Sequence, residues 1–351
     1  MKIIFFTENL GAGGKERRML ELIHELKFVY NHEILIVLTE NKIQYDYVYD
    51  WDIEIKTIER TTLKKDFSIF YKFFKICMKF NPDIIHTWGI MHTFYSIPPK
   101  LLTRAHLVSS MITNASTRIR DSKWLNFVFN LSFTCSDVNL SNSFAALKVY
   151  KLNKEKVKVI YNGVRLDRFN RVFDAHYVER NHGITGMIKV IMVASTSLNK
   201  LYDLFIDLAK KFEKIDKDIV FISVGGGSDF ERLTNRVEIE SIKNLFFLNH
   251  QSNIEEIISS CDIGMLLSPS EGFPNSVMEM MALGKPVIAS NVGGVAELIK
   301  NGEDGFLVEN NINNITAVLS DIILDSDLKR YIGAKAKSKI YNNFSIDKMT
   351  T

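Results

Sequence analysis

The stretch Ser268 to Leu283, SPSEGFPNSVMEMMAL, decides how the chain is read. The preceding CDIGMLLSPS is an apolar run that breaks at Ser268-Pro269-Ser270, the pattern of a buried strand entering a turn. Glu271 then lies in a loop, and Pro274 stands at the expected first helical position. An apolar helix runs from Val277 to Leu283, and Gly284 marks its stop. A carboxylate is thereby placed just before a helix start, where unpaired backbone N–H groups and the positive end of the dipole make an anion site. Glu279, a second carboxylate, sits on the helix itself, roughly 12 Å from Glu271 if the stretch were all helix. Hydrolytic carboxylate pairs flank one bond at about 5 to 9.5 Å. This pair fits instead two parts of one elongated ligand with phosphates over the helix start, as in a nucleotide sugar. For the spacing alone, two glutamates decorating a solvated helix face is the plainer alternative.

The string EGFPNSVMEMMALGKPVIASNVGGVAELIKNGEDGFLV resembles the E-x7-E region of the GT4-type retaining glycosyltransferases, group 1 glycosyl transferases of the GT-B fold. The resemblance implies an α/β chain with two Rossmann-like doubly wound parallel-sheet domains facing across a cleft. It also implies Glu271 against the donor sugar, Glu279 on the nucleotide ribose, and Gly272, Phe273, Pro274, Asn275 and Ser276 lining the donor site.

A chain of 351 residues is longer than one core usually grows, which agrees with two domains. We expect an acceptor-side domain over 1–165, a linker over 166–187, where apolar runs are sparse, and a donor domain over 188–351. Cys77, Cys135 and Cys261 are far apart with neither CxxC nor metal-ligand spacing, so structural zinc is not expected and a reducing compartment is. No apolar run approaches bilayer-spanning length, and the start MKIIFFTENLG is too short in apolar residues for a signal peptide. A cytoplasmic location is expected, with the inner face of the plasma membrane as a place of contact. Residues 1–165 hold 24 Lys and Arg against 16 Asp and Glu, net +8; the remainder holds 20 against 25, net −5. A basic half of this kind faces an anionic surface or acceptor.

From the amino end, KIIFFT is a strand, followed by ENLGAGGKER and a helix from about Glu16 to Leu26: strand, Gly-rich turn and helix start make a phosphate cradle. A dinucleotide-binding turn fits less well, because Glu16 stands where the third glycine belongs. Gly13-Gly14-Lys15-Glu16-Arg17 resembles the family's GG-x-E-R turn, which implies that Gly13 and Gly14 line the donor diphosphate. Asn81-Pro82-Asp83-Ile-Ile-His86 resembles the family's PD-x-x-H strand end, making His86 an acceptor-side candidate; Trp88 stands where a second histidine is common. A structural role for a lone strand-end histidine is the alternative.

Leu63 to Phe80, LKKDFSIFYKFFKICMKF, interleaves lysines with aromatics. It reads either as a helix with a core-facing aromatic stripe or as one lying in a membrane interface. Arg118, Arg120, Lys123 and Trp124 add a second basic stretch. Val157 to Val164 resembles the family's inter-domain boundary segment, with Asn162, Gly163 and Phe169 matching and Arg165 in place of the usual Asp. Lys200 matches the lysine of the family's GR-x4-K stretch, which implies a contact with the donor phosphates, whereas Ser195 falls where the arginine is expected. Asp216-Lys-Asp218 has the form of a metal-binding DxD but precedes a strand, so it reads as a turn. Gly225 opens a triple-glycine break at a strand's carboxyl end, where open α/β sheets bind ligands. The chain ends at FSIDKMTT, where members usually continue into a last helix.

The expected activity is metal-independent transfer, with retention, of a sugar from a nucleotide-diphosphate sugar to a glycan or lipid-linked acceptor in bacterial surface polysaccharide synthesis. The donor is the only small molecule required; no further cofactor and no nucleic acid is expected. A non-catalytic sugar-nucleotide-binding subunit is the alternative, favoured by Ser195.

Overall fold

Continuous runs of branched and aromatic residues form the strands, as parallel sheets covered on both faces require. The computed structural model describes residues 1–11, 13–59, 66–110, 122–150, 156–215 and 218–350. The basic positions Lys64, Lys65, Arg118 and Arg120, and the Asp216-Lys217 part of the DxD string, lie outside them. Met1–Asn162 and Gly163–Met349 pack as two compact units.

In the first unit seven strands lie in the order β3-β2-β1-β4-β5-β6-β7. They are β1 Lys2–Thr7, β2 Glu33–Leu38, β3 Glu54–Thr57, β4 Ile84–Thr87, β5 His106–Ser110, β6 Val138–Ser141 and β7 Val157–Val159. Every pairing is parallel, with Phe5 opposite Ile36 on one side and His86 on the other. Side chains alternate between the two faces of a strand. Ile3 and Phe5 accordingly pack with Met19, Leu20 and Ile23 of the helix Gly14–His24. On the other face, Ile4 and Phe6 pack with Ile69, Phe73 and Cys77 of the helix Ser68–Phe80. The core-facing reading of that second helix is therefore the observed one for its inner side, while Lys72, Lys75 and Lys79 are exposed. The first helix starts two residues earlier than expected and runs into a π-helical turn, Glu25–Val29.

In the second unit six strands lie in the order β10-β9-β8-β11-β12-β13, again all parallel. They are β8 Ile188–Val193, β9 Ile219–Val224, β10 Leu245–Leu248, β11 Ile263–Leu266, β12 Val287–Ser290 and β13 Phe306–Val308. This is the doubly wound order whose direction reverses between the first and fourth strands, here β8 and β11. Residues 166–187 are not bare chain: Leu166–Phe169 forms a 3-10 turn and Tyr177–His182 a helix, with Phe169 and Val178 buried. The unit closes on itself at its ends. Val164 N–H donates to Phe344 O (2.8 Å) and Ile346 N–H donates to Val164 O (2.9 Å), beside a parallel bridge between Val164 and Ser345. After the helix Ser326–Asn343, the final stretch adds a short helix, Ile346–Thr350.

Candidate active site

In an open α/β sheet, ligands bind beyond the carboxyl ends of the strands at the switch point. In the second unit the chain emerging there supplies both expected charges. The loop after β8 carries Lys200, which is turned by a bond from its N–H to Ser197 O (2.9 Å); the loop after β11 carries Glu271. Lys200 Nζ donates to Glu271 Oε1, and both side chains are largely buried. The two loops are also tied through the backbone, Leu201 N–H to Leu267 O at 3.0 Å.

Ser268, fully buried, is the hub of this edge. Its hydroxyl donates to Asn199 O (3.1 Å), and its N–H donates to Ser290 Oγ at the end of β12 (2.9 Å). Its carbonyl accepts from Asn310 Nδ2, just past β13 (3.1 Å), and Ser290 Oγ donates to Asn310 Oδ1. Four strand ends are thus locked around the residue that starts the Glu271 loop, a role invisible when Ser268-Pro269-Ser270 is read as a turn alone.

Gly293 and Gly294 brace Glu271 from below. Gly294 N–H donates to Glu271 O (3.3 Å), and Gly293 has φ +51°, where an added Cβ would fall 2.0 Å from that same oxygen. Glycine is the residue that tolerates both the left-handed backbone and the close approach. Gly225, after β9, has φ +136° and would place a Cβ 2.2 Å from Ala194 O, so the β8 and β9 loops also approach at backbone contact.

The helix after Glu271 spans Asn275–Ala282. Pro274 is its cap rather than its first helical residue, with φ −75° and an extended ψ of 119°. The cause is local: proline fixes φ while the chain is still extended as it leaves the loop. Gly284 follows with φ +72°, the left-handed stop expected there. Gly272, Asn275 and Ser276 are partly exposed at this start. Phe273 is not available as a ligand contact through its ring, which is buried against Phe344 at 5.3 Å between centroids.

Glu279 faces inward among Val277, Met278, Met280 and Met281. Its Oε1 accepts from Arg168 Nη2 at 3.0 Å, and Arg168 Nε also donates to Glu255 Oε1 at 2.9 Å. Arg168 comes from the turn Leu166–Phe169 and Glu255 from the helix Ile254–Ser259. The two glutamates of the E-x7-E string are thus held by different cations, Glu271 by Lys200 and Glu279 by Arg168. Ser195, where an arginine was expected, is exposed and lies 3.4 Å from Ser197 Oγ through its own hydroxyl.

In the first unit the switch point falls between β1 and β4. Gly13 caps the helix after β1 with an extended backbone, and Gly14 is its first residue. Gly13 O accepts from Arg17 N–H (3.0 Å) and from the Tyr45 hydroxyl (3.2 Å). In the same first turn Glu16 pairs with Lys15 at 3.0 Å. His86, on β4, lies beside the Phe5 and Trp88 rings, with Nε2 2.7 Å from Ser110 Oγ. Trp88 belongs to the core. Asn162 is buried at the last position of this unit.

Burial lowers the His86 pKa from 6.5 to about 3, so the ring is neutral at physiological pH. Between those values the unfolded chain binds a proton that the folded chain refuses. Stability from this residue is therefore complete above pH 6.5 and falls as pH drops toward about 3. At pH 5 the loss is roughly 2 kcal/mol. His86→Gln is expected to shrink the difference between urea midpoints at pH 7 and pH 5. An unchanged difference would show that His86 titrates normally.

Residues 178–339 match the family model described as Glycosyl transferases group 1. Over those residues the chain is a group 1 glycosyl transferase. The transferase is 25% identical over 299 residues to the N-acetyl-alpha-D-glucosaminyl L-malate synthase of Bacillus anthracis, spanning 82% of this chain and 77% of that protein. To the UDP-Gal:alpha-D-GlcNAc-diphosphoundecaprenol alpha-1,3-galactosyltransferase of Escherichia coli it is 26% identical over 309 residues, 82% of this chain and 78% of the other. Among solved structures, Anabaena HepE in complex with UDP-glucose superposes with a TM-score of 0.89 at 20% identity, over 100% of this chain and 97% of that one. That likeness is of fold: the transferase has the GT-B type of architecture, two Rossmann-like units each with a doubly wound parallel sheet.

Proposed function

We propose that the transferase is a GT4-type enzyme that moves a sugar from a nucleoside-diphosphate sugar with retention at the anomeric carbon, and that it needs no resident metal. The observation that carries this reading is the Lys200–Glu271 pair at the switch point, immediately before the helix Asn275–Ala282. Breaking the anomeric bond leaves positive character on the sugar and a growing negative charge on the departing diphosphate. Lys200 and the helix start meet that negative charge, the helix end contributing about 0.3–1 kcal/mol, or up to about 2 when partly buried. Glu271 orients the sugar; Glu279, fixed by Arg168, receives the ribose hydroxyls. Donor binding then exchanges one partner of Lys200, a carboxylate, for another, a diphosphate. Gly13, Gly14, Gly225 and Asn162 are assigned to the donor site and His86 to the acceptor side.

A uridine diphosphate donor and a polyprenyl-diphosphate-linked acceptor in bacterial surface glycan synthesis are the first choices. HepE was solved with UDP-glucose, and the Escherichia coli relative is named for transfer onto a diphosphoundecaprenol-linked sugar. Ser195 in place of an arginine supports a second reading, a subunit that binds the sugar nucleotide without turning it over.

Thermal unfolding with UDP, GDP, ADP and their sugars, in chelator, tests both. A ligand at about 100 times its dissociation constant adds about 2.7 kcal/mol, a shift of several degrees. Selective stabilisation followed by an α-configured product from an α-linked donor, read by NMR, is expected. Stabilisation without turnover on any lipid-linked acceptor selects the second reading; absence of any shift removes both.

A further inference from the structure

We propose that the face of the first unit built from the starts of the helices Ser68–Phe80 and Lys123–Cys135 docks on an anionic lipid bilayer. Five rings run across it in an unbroken string. Phe67 to Phe70 is 6.4 Å between centroids, Phe70 to Phe94 5.2 Å, Phe94 to Trp124 6.1 Å, and Trp124 to Phe127 6.0 Å. The outer members are open to solvent: Phe67 is 64% exposed, Phe127 54% and Trp124 42%, and Tyr71, one turn along the first helix, is 61% exposed. Single exposed apolar side chains are ordinary, but a contiguous aromatic string is not. The helix Ser68–Phe80 already buries Ile69, Phe73 and Cys77 in the core, with Phe70 and Phe94 packed partly buried against it, so the outer rings Phe67, Trp124 and Phe127 are surplus to that packing.

Charge selects the partner. Lys72, Lys75, Lys79 and Lys123 stand exposed on the same two helices, Lys75 over the Tyr71 ring at 4.5 Å. Residues 60–150 carry 12 Lys and Arg against 4 Asp and Glu, net +8, whereas residues 1–59 carry 7 against 11, net −4. The part of the chain that bears the string is thus strongly basic where the part before it is acidic, and residues 151–165 add a further net +4. A second aromatic cluster, His24, Phe28, Tyr47 and Trp51, provides the contrast: it lies in the acidic part, beside Glu25, Asp46 and Asp50. Exposed rings seated at headgroup depth with lysines reaching the phosphates is the chemistry of an interfacial helix on an anionic leaflet. A neutral glycan would use the rings without the lysines, and a nucleic-acid duplex the lysines without surplus phenylalanines. No described helix is long and apolar enough to cross a membrane, so the contact is peripheral. The inference deepens the proposed lipid-linked acceptor by naming where the transferase meets the surface that holds it.

The test is co-sedimentation of the full chain with vesicles of phosphatidylcholine alone or mixed with phosphatidylglycerol, at low and high salt. Binding only to the anionic vesicles, weakened by salt, is expected. Phe67→Ser/Trp124→Ser/Phe127→Ser and Lys72→Glu/Lys75→Glu should each weaken it by about tenfold or more, and Phe28→Ser/Tyr47→Ser should leave it unchanged. Brominated lipid should quench wild-type tryptophan fluorescence and fail to quench Trp124→Phe. No binding by the wild type, or equal loss in the Phe28/Tyr47 control, overturns the proposal, as does a change in oligomeric state in the ring variants without vesicle binding. UDP-sugar stabilisation measured on the same preparations separates the two readings: vesicle binding without it leaves the docking face standing and removes the donor reading, and the reverse result removes the face.

Discussion

Glu271→Gln is expected to lower turnover by about 10²–10³, the scale on which one preorganised charge-handling group acts, while affinity for UDP stays equal or rises. Both parts follow from the same contact. Glutamine keeps the size and the hydrogen-bonding reach of the side chain but drops the charge that orients and balances the reacting sugar. It also frees Lys200 from its carboxylate partner, and a diphosphate then has no internal anion to displace. Single-turnover rates with saturating donor, set beside calorimetric titration with UDP, separate these effects. Turnover within threefold of wild type would remove Glu271 from the mechanism. A large loss of UDP affinity would mean that the carboxylate holds the nucleotide and not the sugar.

Arg168→Ala is expected to produce the largest loss of stability of any single charge removal in the second unit. The guanidinium holds Glu255 and Glu279, whose side chains are 11% and 5% exposed. Taking away one partner of a buried pair costs about 3–5 kcal/mol, because the stranded charge is left in a medium that solvates it poorly. Here one deletion removes a cationic partner from two buried carboxylates at once. Urea unfolding of the variant should show that loss, and Arg168→Ala/Glu255→Gln should recover part of it by removing one stranded charge. Arg168→Lys keeps a positive charge without the planar fork that reaches both oxygens, so it should fall between. A wild-type urea midpoint for Arg168→Ala would mean that the contacts of Arg168 with Glu255 and Glu279 add nothing to stability.

Which parts of this site were readable beforehand follows from the range of the interactions. Strand β1 was legible to the residue because KIIFFT is a continuous apolar run bounded by polar chain. The loop-then-helix placement of Glu271 and Glu279 was legible because proline and glycine punctuate it. Pro274 was misplaced by one position, since proline's fixed φ suits both a cap and a first helical residue. Arg168 carried no local signal: its partners are 87 and 111 residues away, and no periodicity links a turn to two distant helices. Gly293 looked like punctuation before a helix, and its real constraint is the Glu271 carbonyl, 22 residues back. Residues 166–187 read as bare connection because their anchors, Phe169, Val178 and Ile184, are isolated apolar residues rather than runs.

The bridge between Val164 and Ser345 gives the second unit a topological property of its own. Its polypeptide enters and leaves through one doorway two hydrogen bonds wide. Tension applied to the two ends of this stretch would load that doorway before it reached the six-stranded sheet behind it. Adjacent ends are also the condition under which a fold tolerates being cut elsewhere and rejoined there. A circular permutant of this unit joined at that doorway is therefore expected to keep the same strand order in its sheet.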